Sequence, residues 1–310
     1  MRVFLAGASG ALGRRLTPAL LAAGHEVTGM TRSQESAERI RQTGAQAVVC
    51  DAFDREQLTE AMREAEPEAV VHQLTALPDE YDIRKIDYAP TNRLRTEGTR
   101  NLLDAAAAAG ARRFVSQSIA FIYAPDSGTL ASEEDPLYTE APAPFGEAIA
   151  ATESGDQQVV QTPEMTGLVL RYGFFYGPGT YYAADGHSAS EFRKRRLPIV
   201  GRGSGVFSWV HVDDAASATV AALEQGDPGI YNVCDDEPAP MREWMPVYAD
   251  ALGTKRPFKV PLWVARLAAG RLAAHFATGL RGASNTKAKR ELDWQPRYAS
   301  WRDGFREALG

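Results

Sequence analysis

A doubly wound parallel α/β sheet with a smaller, discontinuous C-terminal lobe is the fold class predicted by this 310-residue sequence. Three observations predict it. Over the first two hundred residues, short apolar runs alternate with amphipathic stretches, the pattern of repeated βαβ units. A glycine-rich turn joins the first apolar run to the first amphipathic one. From Met241 the chain reads as a mostly helical tail punctuated by proline and tryptophan.

Taken in order, MRVFLAG reads as the first strand and LGRRLTPALLAAG as the first helix, stopped at Gly24. HEVTGMTR, AQAVVCD and AVVHQLT read as the second, third and fourth strands. Residues 91–109 read as one long helix ended by Gly110, and RFVSQSIA as the fifth strand. A looser segment rich in Pro, Ser and Glu spans 125–144. GLVLRYGFFYGPG reads as a sixth strand with a Gly/Pro exit. VHVDDAASATVAALEQG reads as a strand end entering a helix, and GIYNVCD as a further strand. The pattern divides the chain into one domain of 1–170 plus roughly 208–234, and a second lobe of 171–207 and 235–310.

Composition narrows the class of partner. Hydrophobic content of 44% and charged content of 24% are those of an ordinary globular chain. A net charge of −6 argues against a nucleic-acid or anionic-membrane surface. The basic run Arg193-Lys194-Arg195-Arg196 reads as a solvated face. Cys50 and Cys234 lie in apolar strand-like segments without metal-ligand spacing, so buried thiols and no metal site are expected. No apolar run reaches the ~18 residues of a membrane span, and the chain opens directly on a strand, so a cytoplasmic enzyme is expected.

The glycine-rich turn carries the first functional signal. Gly7, Gly10 and Gly13 stand in G-x-x-G-x-x-G spacing between a strand and a helix. That context suits a dinucleotide pyrophosphate: a tight turn, close backbone approach, and helix N–H groups aimed at phosphate. Gly7, Ser9, Gly10, Ala11, Leu12 and Gly13 are the expected contacts. At the end of the second strand, Thr31-Arg32-Ser33 offers a guanidinium flanked by hydroxyls and no acid. An acid there would bind a free ribose 2′-OH; a guanidinium suits a 2′-phosphate. NADP(H) is therefore expected over NAD(H), with Arg14 as a second phosphate contact.

With these residues in view, the chain resembles the extended short-chain dehydrogenase/reductase family, the NAD-dependent epimerase/dehydratase group. AGASGALG, EGTRNLLDAAAAAGARRFVSQS, LRYGFFYGPGT and VHVDDAA carry the resemblance across nearly the whole length. It implies that Asp51 contacts adenine, and Ala52, Leu74, Thr75, Gln117 and Tyr172 complete the expected cofactor set. It also implies a homodimer through a four-helix contact. The family's chemistry uses a Ser or Thr after the fifth strand and Tyr-x-x-x-Lys on the next helix. Here the match puts Ile119 at the hydroxyl position, with Ser118 one place off, Phe145 at the tyrosine and Ile149 at the lysine. The family's phosphate-binding Asn and Arg fall on Phe174 and Phe207. His211 and Asp213 remain, expected to cap a helix rather than to catalyse.

These replacements agree with one another. Ile119, Phe121, Phe145, Ile149, Phe174 and Phe207 are expected to line one apolar pocket, the usual design for an uncharged organic ligand. The leading expectation is an atypical NADP(H)-dependent reductase acting on an apolar, non-nucleotide small molecule. Thr75, Ser118, Tyr123 and Tyr176 are the hydroxyl candidates for protonation. Two alternatives stay open: a non-catalytic NADP(H)-binding redox sensor or regulator, and a non-redox isomerase or cyclase with a structural cofactor.

Overall fold

The computed structural model describes residues 1–78, 80, 82–125 and 130–309. Its seven-stranded sheet contains β1 (Arg2–Ala6), β2 (Glu26–Thr31), β3 (Gln46–Val49), β4 (Ala69–His72), β5 (Arg113–Ile119) and β6 (Thr166–Tyr172). After the short strands β7 (Phe174–Tyr176), β8 (Ile199–Val200), β9 (Val206–Phe207) and β10 (Trp209–His211), β11 (Gly229–Val233) completes it. The order is β11-β6-β5-β4-β1-β2-β3, with every pairing parallel. The winding reverses between β1 and β4, so a ligand crevice opens there, at the carboxyl ends of the strands.

Both faces of the sheet are covered, which is why its strands read as near-continuous apolar runs. Leu5, Val27, Val71, Val115 and Leu170 point to one face with Leu16 and Leu20 of α1 (Gly13–Ala22). Phe4, Met30, Val70, Phe114 and Val169 point to the other. There they meet Leu58 and Met62 from the helix Arg55–Ala65. Local signals set the helix ends. Ser33 accepts a hydrogen bond from the Ser36 N–H to cap α2 (Gln34–Arg41), and Asp54 does the same for Gln57 at the start of α3 (Arg55–Ala65).

Two elements differ from the sequence reading. The helix expected over 91–109 comprises α4 (Ala89–Arg93), a wider π-helical turn over Leu94–Gly98 and α5 (Thr99–Ala108). The turn places buried Arg95 beneath α6 (Phe145–Val160), where its main chain passes so close to Gly155 that a Cβ would stand 2.5 Å from the Arg95 carbonyl oxygen. The expected sixth strand breaks at Gly173, where a Cβ would stand 2.5 Å from the Ser208 carbonyl oxygen. Beyond that break β7 pairs with β10 in a separate two-stranded sheet. Of the loose segment 125–144, residues 126–129 lie outside the described residues; isolated bridges from Tyr123 to Leu137 and from Ala131 to Ala283 hold its flanks.

The remaining elements are α7 (His187–Arg193), α8 (Val212–Glu224), β12 (Ala239–Pro240), α9 (Met241–Ala251), β13 (Lys259–Val260), α10 (Leu262–Thr278), α11 (Thr286–Glu291) and α12 (Trp301–Leu309). Of these, α7, β12, α9, α10 and α12 enclose with α6 a second apolar core containing Trp209, Trp244, Tyr248 and Phe305, whereas α8 and α11 pack on the first. In the basic run, Lys194 and Arg196 lie exposed at ion-pair distance from Glu191. Among the described residues, no helix is long and apolar enough to cross a membrane.

Candidate functional site

The crevice at the switch point is a cleft of about 270 Å³ lined by Gly7, Ser9, Gly10, Thr31, Arg32 and Thr75, among others. The glycine turn that forms its floor has no room for a side chain at Gly7 or Gly13. Gly7 has φ +97°, and a Cβ there would stand 2.9 Å from the Gln73 carbonyl. A Cβ on Gly13 would stand 2.2 Å from the Gly7 carbonyl oxygen. The backbone is thus bare where α1 begins, and the residues fit a dinucleotide pyrophosphate. From β2 to β6 the strand ends cover four spacings of about 4.8 Å, roughly 19 Å, enough for an extended dinucleotide.

The expected cofactor residues are not equally available. Thr31 is buried with its Oγ1 3.3 Å from Ser9 Oγ, and the Ser33 hydroxyl is engaged as the α2 cap. Arg14 Nε donates to the Ser9 carbonyl oxygen at 2.9 Å, and Arg32 is exposed on the cleft rim. The Asp51 carboxylate accepts from the Phe53 N–H at 2.9 Å, and Ala52 is buried with its carbonyl accepting from Asn101. Leu74 and Thr75 line the cleft after β4, and Gln117 Nε2 donates to the Leu74 carbonyl oxygen at 3.3 Å. Tyr172 is buried, its hydroxyl 2.7 Å from Thr219 Oγ1 and 3.4 Å from Gln73 Nε2. Ala11 and Leu12 lie in the turn itself.

The six expected pocket residues come together in the second core, beyond the ends of β5 and β6. Phe145 and Ile149 share one face of α6, one turn apart, and both are buried, as is Phe207. Ile119, Phe121 and Phe174 remain half-buried. Phe121 and Phe174 stack with centroids 4.1 Å apart at 16°, and Phe121 lies parallel to Phe145 at 6.4 Å. Phe207 and Trp209 back Phe174 at 4.8 and 5.7 Å. The result is an aromatic wall with a buried rear and a half-buried front.

The hydroxyl candidates are placed apart from one another. Ser118 is buried beside Asp156 on the α6 side of the sheet. Tyr123 donates to Asn232 Oδ1 at 2.6 Å and accepts from Arg171 Nη1 at 3.1 Å; burial pushes its hydroxyl up to about 12. Arg171 in turn holds Asp156 at 2.9 Å in a buried ion pair. Tyr176 is buried against α12, where a Cβ on Gly304 would stand 2.0 Å from its hydroxyl, and burial raises its pKa. Thr75 alone of the four lines the cleft. His211 caps α8 through Nδ1, which accepts from the Asp213 N–H at 3.2 Å, while Asp213 pairs with Arg15 of α1 at 2.5 Å.

Sequence reasoning missed residues that the tail supplies. Phe276 of α10 packs 5.2 Å from Phe145, and His275 beside it lies 6.3 Å from the same ring. Burial holds the His275 imidazole down to about 4. No periodicity or spacing marks either residue. Cys50 also lines the cleft, its thiol pushed up to about 11 by burial.

This fold and cleft define a nicotinamide-dinucleotide enzyme of the oxidoreductase type. The chain belongs to the NAD dependent epimerase/dehydratase family, whose profile matches residues 3–234. It is 45% identical over 98% of its length to 99% of the 3-diazoavenalumate denitrifying reductase of a Streptomyces species. Among solved structures it resembles the UDP-glucose 4-epimerase of Thermus thermophilus in complex with NAD, with TM-score 0.77 and 24% identity, covering 100% and 98% of the two chains. It also resembles the dTDP-glucose 4,6-dehydratase of Streptomyces venezuelae with NAD bound, with TM-score 0.79 and 22% identity, covering 100% and 96%.

These comparisons correct three expectations. The solved relatives carry NAD, so the preference for NADP(H) over NAD(H) does not stand. Its structural basis is also thinner than the sequence suggests, because the hydroxyls of Thr31 and Ser33 already have partners. The expectation of an NADP(H) enzyme for an apolar, non-nucleotide molecule does not stand either: the solved relatives are named for UDP-glucose and dTDP-glucose, and the 45% identical relative for 3-diazoavenalumate, none of which is apolar. The apolar small-molecule partner falls with it. Physically, Phe145, Ile149 and Phe207 are largely packing, and only part of the apolar wall is open to a ligand.

Proposed function

We propose that this chain is a reductase that replaces the diazonium group of an aromatic acid by hydrogen, releasing dinitrogen. The observation that carries the reading is the pair Phe145 and Ile149, buried where the family match puts a proton-donating tyrosine and its lysine. Carbonyl reduction needs a hydride and a proton. Diazonium reduction needs only the hydride: Ar–N₂⁺ + H⁻ gives Ar–H + N₂, with the C–N bond broken, a C–H bond formed and no proton taken from the protein. A wall without a proton relay suits that balance. The full-length relative supports it, because its name joins a diazo group, an acid anion and a denitrifying reduction.

A reduced nicotinamide, when bound, supplies the hydride. In this reading Gly7, Ser9, Gly10, Ala11, Leu12 and Gly13 hold the pyrophosphate, and Arg32 with Asp51 flanks the adenosine end. Leu74, Thr75 and Gln117 lead toward the substrate lobe of 171–207 and 235–310. Phe145 and Ile149 exclude water, which hydrolyses diazonium ions, and present no nucleophile. The reading also places the enzyme in the cytoplasm, where free thiols such as Cys50 and Cys234 persist.

The test is turnover of an aryl diazonium acid with NADH and NADPH, following cofactor oxidation, nitrogen release and the arene product. One nitrogen per cofactor oxidised is expected. Conversion of UDP-glucose or dTDP-glucose with no reaction of the diazonium acid would overturn the reading.

A further inference from the structure

We propose that the outer face of the second lobe, where the basic run meets β13 and the first half of α10, docks on an anionic phospholipid bilayer. The inference lies beyond the proposed reaction and does not depend on it.

The fold gathers basic and exposed apolar residues onto this face. Parallel pairing of β8 with β13 sets Ile199 beside Lys259, and the Ile199 N–H donates to the Phe258 carbonyl oxygen at 2.9 Å. The run Arg193-Lys194-Arg195-Arg196 therefore ends against Phe258, with the Arg195 guanidinium 5.8 Å from that ring's centroid. From β13 the chain passes directly into α10, whose inner side buries Ala265 against Val200 and Ala277. Trp263 and Leu267, one turn apart, point outward and are 66% and 81% exposed. With Leu197 and Phe258 they make four of the seven exposed large apolar side chains among the described residues. At Gly270, φ +84°, the helix breaks, which separates this outward arm from the half that carries Phe276 into the aromatic wall.

The face is charged opposite to the whole chain. The protein carries −6, yet residues 192–212 and 251–290 contain no Asp or Glu. Arg195, Lys255, Lys259, Arg266 and Arg271 are exposed and make no ion pair among the described residues. Charge complementarity thus selects an anionic partner for this face alone.

The apolar groups select a bilayer over an acidic protein. Trp263 and Leu267 stand clear of the surface instead of lining a groove, so they suit a fluid acyl boundary that needs no matching pocket. Tryptophan among lysines and arginines is the composition of a segment seated at headgroup level, where each cation adds attraction to anionic lipid.

The experiment sediments the full chain with vesicles of phosphatidylcholine containing phosphatidylglycerol, and with phosphatidylcholine alone. Binding should be about ten-fold tighter or more on the anionic vesicles and should weaken as salt rises. The other four tryptophans are buried, so quenching of fluorescence by brominated acyl chains reads Trp263 directly. Trp263→Phe should keep binding and lose the quenching. Trp263→Ser with Leu267→Ser, and Lys259→Glu with Arg266→Glu, should each weaken binding about ten-fold at an unchanged melting temperature. Equal binding to the two vesicles, or anionic binding without quenching, would overturn the inference; both readings use the unmutated protein. Binding to soluble polyglutamate as tight as to the anionic vesicles would assign the face to an acidic protein and overturn it as well. None of these outcomes bears on diazonium turnover, which is measured without lipid.

Discussion

A Cβ on Gly13 would stand 2.2 Å from the carbonyl oxygen of Gly7, and 2.7 Å from the Ala8 carbonyl carbon. Neither neighbour is a flexible side chain; both are backbone of the turn between β1 and α1. Gly13→Ala should therefore displace the turn, abolish dinucleotide binding and destabilise the fold by about 3 kcal/mol. Gly44→Ala is the control: its φ is +92° but nothing lies within 4 Å, so only about 1 kcal/mol should be lost. Denaturant unfolding and calorimetry with NADH check both.

The buried pair of Arg171 and Asp156, 2.9 Å apart, should behave as an all-or-none unit. Asp156→Ala leaves the Arg171 guanidinium, with Arg95 nearby, buried without its carboxylate. A loss of about 3–5 kcal/mol is expected. Tyr123→Phe should cost about 1–3 kcal/mol, because it leaves buried Asn232 and Arg171 each short of a partner, and should leave turnover intact, because the hydroxyl serves those two residues rather than a ligand.

Tyr176→Phe should be neutral or slightly stabilising. Its hydroxyl is buried against α12 without a hydrogen-bond partner, so removing it relieves a desolvated polar group. Unchanged kcat with an equal or higher melting temperature is the expected result; a large loss of kcat would show a catalytic role.

Acid should weaken the fold through His72. This imidazole is buried at the end of β4, accepts the Leu74 N–H at 3.2 Å through Nδ1, and is held down to about 4 by desolvation. The unfolded chain takes a proton near pH ~6.5, so the contribution is complete above that pH and is lost as pH falls toward 4. About 3 kcal/mol should disappear across that window. His72→Asn, which keeps an acceptor for Leu74, should flatten that part of the stability curve in urea titrations at pH 7 and 4.5.

Restoring the family's proton relay should harm this protein. Phe145→Tyr with Ile149→Lys introduces an amine into a fully buried apolar wall and should cost about 2–5 kcal/mol. If the substrate is an aryl diazonium ion, the new phenol should also become a coupling target. Peptide mapping after exposure to substrate should find an azo adduct at position 145 in the variant, and an unmodified phenylalanine in the parent.

The sequence by itself determined the parallel sheet and the glycine turn at its switch point. Those features are local: the glycines constrain one another within seven residues, and strand and helix periodicities are written in runs of ten to twenty. Helix stops at Gly24 and Gly110 were legible for the same reason. The availability of polar groups was not. Thr31, Ser33, Tyr123, Tyr172 and Tyr176 all read as ligand contacts or proton donors, yet four of the five are buried and the fifth caps a helix. Only the tertiary structure decided this, because the partners of Tyr123 and Tyr172 stand 47 to 109 positions away in the chain. The aromatic wall divides the same way. Phe121, Phe145, Phe174 and Phe207 were visible as replacements for polar family residues or their neighbours, but which rings stay half-open depends on Phe276 and Trp209 arriving from distant elements. Packing is a property of residues that meet in space, and a one-dimensional pattern records only residues that meet along the chain.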